Sequence, residues 1–201
     1  MRQGFWLVVT LAAALVGVNS TAHAIVFNYQ TPMDGPSESP ANASPGTGFA
    51  SLRYDNVAHT MRIQANFSGL TGTTTQAHIH SPTVNPFLLT AGVATQLPSF
   101  SGFPLGVTAG SMDTTFEMTL ASTWNSSYVT ANGGTTAGAE AAFAAQLSQG
   151  RAYFNIHSST FPGGEIRGFF TLIPEPATMG LAATSVLALV AVGRRARKSR
   201  V

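Results

Sequence analysis

The sequence predicts an all-β protein: a Greek-key-like antiparallel β-sandwich with one short helix, a signal helix at its N-terminus and a transmembrane helix at its C-terminus. Three observations predict it. From Gly46 onward, runs of five to seven residues alternate apolar with polar, the period of half-buried strands. Hydrophobic residues make up 44% and charged residues 9% of the 201 residues, too apolar for a disordered chain. Two apolar, uncharged segments sit at the chain ends, outside the alternating region.

Residues 1–24 read as a secretory signal peptide. Arg2 supplies the positive start, an apolar run extends from Phe5 to Val18, and Ala22-His23-Ala24 is a small-x-small cleavage site. The exported chain then begins at Ile25. Residues 25–173 form the body. Its alternating runs are Ala50, Leu52 and Tyr54; Met61, Ile63, Ala65 and Phe67; Phe116, Met118 and Leu120; Ala152, Phe154 and Ile156; and Ile166, Gly168, Phe170 and Leu172. Asp55-Asn56 is a turn between the first two. The segment 33–45, rich in Pro, Ser and Asn, reads as irregular surface chain. The segment 81–111, with Pro82, Pro86, Pro98 and Pro104, reads as a long connection of the kind that often carries function. Ala137 to Gln149 is rich in alanine and is stopped by Gly150, which predicts the single helix.

The C-terminal segment, 174–201, has three parts: Pro174-Glu175-Pro176, an apolar stretch over 177–193 that predicts a membrane helix at the short end of the spanning range, and a basic tail from Arg194 to Arg200. The cations after the apolar stretch mark a cytoplasmic end. They also account for the basic balance of the whole chain. Between Ile25 and Ile173 there are four arginines and seven acidic residues, so the body is acidic and a nucleic-acid partner is excluded. The absence of cysteine excludes disulfides, thiolate metal sites and a cysteine nucleophile.

Three of the five histidines form a pattern. His78 and His80 are i, i+2 on a strand and project from one face, with Ile79 turned to the core. His157 lies on the polar phase of its own strand, because Ala152, Phe154 and Ile156 face inward. If those strands are close, three imidazoles converge, a donor set that suits copper or zinc. Glu165 and Arg167 lie on the polar phase of the next strand and are expected to orient the ligands. His59, beside the Asp55-Asn56 turn, reads as a surface residue. No Ser-His-Asp order and no glycine-rich phosphate loop is present, so no catalytic residue and no organic cofactor is assigned.

Two resemblances follow from these residues. Pro174-Glu175-Pro176, the apolar helix and the arginine-rich end together resemble the PEP-CTERM sorting signal of Gram-negative bacteria. That resemblance implies an exosortase-type processing enzyme as a partner, transient anchoring in the inner membrane, and delivery to the cell surface or extracellular matrix. Ala77-His78-Ile79-His80, the Tyr153-Phe154-Asn155-Ile156-His157 strand and the Pro162-Gly163-Gly164-Glu165-Ile166-Arg167-Gly168 turn and strand resemble the CHRD (chordin-type) domain over roughly 27–172. That resemblance implies a β-sandwich without a settled activity, usually treated as a binding or structural module. The expected function is therefore a non-enzymatic module of the bacterial surface or biofilm matrix, with extracellular polysaccharide or matrix protein as its partner. The alternative is a copper- or zinc-binding protein built on His78, His80 and His157, redox-active in its furthest form. The His-x-His pair also resembles that of copper–zinc superoxide dismutases, but the disulfide cysteines and zinc loop of that family have no counterpart here.

Overall fold

The computed structural model describes residues 25–174. The signal segment 1–24 and the 175–201 part of the sorting signal, including the expected membrane helix 177–193, lie outside the described residues. Among the described residues no helix is long and apolar enough to cross a membrane.

The described residues form eight strands: β1 (Val26–Asp34), β2 (Thr47–Asp55), β3 (Thr60–Ser68), β4 (Thr74–His80), β5 (Gly110–Glu117), β6 (Tyr153–Ser158), β7 (Ile166–Phe169) and β8 (Thr171–Leu172). All pair antiparallel in one curled sheet of order β4-β6-β7-β1-β2-β3-β5, with β8 beside β1. The expectation of a mostly β, antiparallel domain agrees with this. The division into two facing sheets does not, and β1 is the reason. It pairs with β2 on one side and with β7 and β8 on the other, so it joins the halves β4-β6-β7 and β2-β3-β5 into one sheet. The sequence hides β1 because Gln30, Thr31 and Pro32 interrupt its apolar pattern. Tyr29, Thr31 and Met33 nevertheless alternate inward. Met33 and Asp34 thus belong to a strand, and the irregular segment begins at Gly35.

The β2–β3 hairpin turns where expected. The Asp55 Oδ1 accepts from the Val57 and Ala58 amides at 3.1 and 2.9 Å, an Asx-type turn. The predicted helix is α2 (Thr136–Ser148), capped by the Thr135 hydroxyl and ended at Gly150, whose φ of 66° suits glycine. A shorter helix, α1 (Ser126–Ala131), precedes it, with the Asn125 side chain as its N-cap. The inner face of the curl holds the core: Leu52, Met61, Ile63, Ile79, Phe154, Ile156, Ile166 and Phe170 are all at most 1% exposed. Phe143 and Leu147 of α2 belong to the same core. The Glu140 carboxylate ties α2 to the hairpin. It accepts from the Tyr54 hydroxyl at 3.0 Å and meets the His59 Nδ1 at 2.9 Å, so His59 is half exposed but bonded.

The edge of β4 is covered by the connection to β5. The Ile79 amide donates to the Thr95 hydroxyl and the Ala77 amide to the Ser99 hydroxyl. The Ala94 and Phe100 amides donate to the carbonyls of Ile79 and Ala77. Side chains thereby satisfy a strand edge that would otherwise invite another chain.

Gly168 sits where β7 closes on β1. A Cβ there would collide with the Pro32 carbonyl and the Thr31 hydroxyl. Gly168→Ala should therefore cost about 1–3 kcal/mol through forced separation of backbone, read as a lower urea midpoint. An unchanged midpoint would show that the β1–β7 junction yields freely.

Candidate metal centre

The site is built by strand register. Gln76 pairs with His157, His78 with Asn155, and His80 with Tyr153. On the other side of β6, Asn155 pairs with Arg167 and Tyr153 with Phe169. Directly paired residues share a face. His78, His80, Tyr153, Asn155, His157, Arg167 and Phe169 therefore stand together on the face opposite Ala77, Ile79, Phe154 and Ile156. His157 lies diagonally across from His78, within reach of a ring.

That face is not open to solvent. All six residues of β6 are buried on both sides, and His78, His80 and His157 are 2%, 9% and 7% exposed. The cover comes from the β4–β5 connection, from the segment after β1 and from the turn before β7. The His80 ring bonds the Ala91 carbonyl, Arg167 bonds the carbonyls of Ser37 and Leu89, and the His157 ring bonds the Pro162 carbonyl.

The three rings converge. The ring centroids of His78 lie 4.7 Å from those of His80 and of His157, and one nitrogen from each ring lies within 4.8 Å of the others. The Nδ1 of His157 is 2.8 Å from the Pro162 carbonyl, and the Nδ1 of His80 is 2.8 Å from the Ala91 carbonyl. A carbonyl only accepts, so both Nδ1 atoms carry the hydrogen. Each Nε2 is then left with a lone pair. The Nε2 of His80 is buried with no hydrogen-bond partner, and the Nε2 of His157 faces the Nε2 of His78 at 3.0 Å. Two lone pairs cannot face each other at that distance, so the His78 Nε2–H donates to His157. The Nδ1 of His78 is buried without a hydrogen-bond partner, while the Pro98 carbonyl acts on the same ring to favour a proton.

Burial, and then the neighbouring rings of His80 and His157, push His78 down to about 3. Burial pushes His80 down to about 4 against the pull of the Ala91 carbonyl, and His157 and Arg167 lower it further. Burial also holds His157 below its usual value, against the Pro162 carbonyl. The rings are therefore neutral at physiological pH, the form in which imidazole binds metal.

The surroundings assign roles that the sequence does not show. Tyr153 stacks on His80 with parallel rings 4.8 Å apart, and the Arg167 guanidinium lies 4.8 Å from the centroid of the same Tyr153 ring. Arg167 reaches the carbonyls of Ser37 and Leu89 and lies 3.8 Å from the Glu38 carboxylate. Glu38 is pushed up to about 7 by burial, against the Arg167 charge and the Ser39 amide. Glu165 is fully buried, yet its bonds lead away from the rings: it accepts from the Ser44 hydroxyl at 2.6 Å and from the Thr71 and Gly72 amides. Burial works to raise its carboxyl, but Ser158, Ser44, Thr71 and Gly72 outweigh burial and hold it below the usual range. The ring-orienting contacts are thus the carbonyls of Ala91 and Pro162. Backbone carbonyls carry no sequence signature, so neither contact is legible in the motifs.

The fold and these motifs define a class: an antiparallel β domain with paired histidines on one strand and a third on its neighbour. The chain belongs to the CHRD domain family, which matches residues 29–170. Comparison with curated proteins and with solved structures gives no significant match.

Acid should destabilise the metal-free protein, and the sign follows from the rings. Above about pH 6.5 they are neutral folded or unfolded, and their contribution is level. From 6.5 down to about 4 the unfolded chain takes up protons that the folded chain refuses, so stability falls by up to about 1.4 kcal/mol per pH unit for each of His78 and His80, with His157 acting in the same direction. Glu38 acts in the opposite sense, as one carboxyl against three rings. The urea midpoint should fall steadily between pH 6.5 and 4, and less steeply in His78→Ala. A midpoint level across that window would contradict the neutral, buried triad.

Proposed function

We propose that this protein is an exported metal-binding module of the bacterial surface, in which His78, His80 and His157 hold one copper or zinc ion. The observation that carries the reading is the arrangement of ring hydrogens. Two carbonyls hold the Nδ1 hydrogens of His80 and His157, which leaves the Nε2 lone pair of His80 buried without a partner and that of His157 facing the His78 ring. A buried polar atom without a partner costs about 1–3 kcal/mol, and a bound ion removes that cost. His78 completes the set by moving its hydrogen from Nε2 to Nδ1, where the Pro98 carbonyl favours it.

The role is binding and not turnover. The rings are closed over by three segments of chain, and among the described residues no nucleophile–base pair is hydrogen-bonded to them. Glu165 is fully engaged by its own donors, and Arg167 by carbonyls and Glu38. Export and sorting rest on the sequence: the signal segment 1–24, the Pro174-Glu175-Pro176 motif and the apolar, then basic, end. On this reading an exosortase-type enzyme processes the chain at the inner membrane, and the domain reaches the cell surface or matrix with polysaccharide or matrix protein as its neighbours.

Metal content by mass spectrometry tests the reading. The chain purified from residue 25 onward and dialysed against copper or zinc should retain about one ion. His78→Ala, His80→Ala and His157→Ala should each lose it. Retention of no ion by the parent, or of the same ion by all three variants, would overturn it.

A further inference from the structure

Resting on the three-histidine reading, we infer that the site is a copper(I) site that discriminates against divalent ions, and that Arg167 and Asn155 set this preference. The ligand set carries no charge: three imidazoles and no carboxylate form the cluster. The groups that orient the rings are neutral as well, since the Ala91 and Pro162 carbonyls take the positions that a carboxylate holds in many zinc sites. The carboxylate nearest in sequence to these motifs, Glu165, is spent on Ser44, Thr71 and Gly72.

The neighbouring charge has the wrong sign for a divalent ion. Arg167 is 4% exposed and lies in the same cross-strand row as His78, with Asn155 between them. Two strand spacings place its backbone about 10 Å from that of His78. Its guanidinium lies over the Tyr153 ring, which stacks on His80. Its partner, Glu38, stands 3.8 Å away, but burial pushes that carboxyl up to about 7, so near neutral pH it offsets the guanidinium only in part.

A buried cation repels each unit of ion charge separately. At about 10 Å and an effective dielectric of about 20, one unit corresponds to roughly tenfold in affinity. A monovalent ion bears that penalty once and a divalent ion twice. Burial adds to the difference, because desolvation and uncompensated charge both grow with the charge of the ion. Copper(I) is the monovalent ion that imidazole binds well, and it accepts a low coordination number. Three neutral rings in a closed site suit it.

Asn155 is the neutral member of the row. It is 2% exposed, and its Oδ1 is buried without a partner. A carboxylate at this position would lie between the guanidinium and His78 and would reverse the local field without changing side-chain shape.

The test is competition for copper(I), under reducing and oxygen-free conditions, against a chromophoric copper(I) chelator, with a parallel zinc titration of the same full chain. The parent should bind copper(I) at least a hundredfold more tightly than zinc. Arg167→Gln and Asn155→Asp should each lower the copper(I)-to-zinc affinity ratio about tenfold or more, with circular dichroism checking that both remain folded. Asn155→Asp, the isosteric change, keeps the test decisive if Arg167→Gln unfolds. Zinc binding as tight as copper(I), or an unchanged ratio in the folded variants, would overturn the charge argument and leave the three-histidine site standing. Binding of neither ion by the parent would remove the site and this inference together.

Discussion

The pairing of β4 with β6 places His157 diagonally across from His78, and the rest of the site depends on that register. A slip of one residue would turn His78 and His80 toward the core and Ile79 out of it, an exchange that the packing of Ala77 and Ile79 against Phe154 and Ile156 forbids. The apolar face thus holds the polar face in phase. The cover over the histidines uses the same register, because the segment following Ala91 runs along the free edge of β4 and bonds to the backbone of Ala77 and Ile79.

That cover changes the chemistry of the face beneath it. Exposed histidines on a sheet would titrate near their ordinary value and meet water. Here burial pushes His78 and His80 well below it, while carbonyls from the covering segments settle the tautomers of His80 and His157. Arg167 is enclosed by the same segments, held by the carbonyls of Ser37 and Leu89 and stacked over Tyr153. The domain thus encloses neutral nitrogen donors together with a fixed cation.

Much of this was legible in the sequence, for identifiable reasons. The alternation in β2, β3, β6 and β7 exposes their inward faces, and the i, i+2 spacing of His78 and His80 with the phase of His157 puts three rings on outward strand faces, which the β4–β6 pairing then brings together. β1 was not legible, because Pro32 and its polar neighbours mask the inward set of Tyr29, Thr31 and Met33, and its absence made one sheet read as two. The burial of the histidine face was not legible either, since alternation reports a local period and the cover arrives from residues far along the chain. Glu165 looked like a partner for the rings by strand phase. Apart from Ser158, its actual partners, Ser44, Thr71 and Gly72, are about a hundred residues away in sequence and leave no local trace.

X-ray absorption at the metal edge of the loaded protein tests the central claim most directly, because it reads the ligands of the ion itself. The account predicts a first shell of three imidazole nitrogens at about 2 Å, with the outer-shell scattering of histidine rings and no sulfur. A shell dominated by oxygen, without ring scattering, would place the ion elsewhere and contradict the convergence of His78, His80 and His157 on a metal.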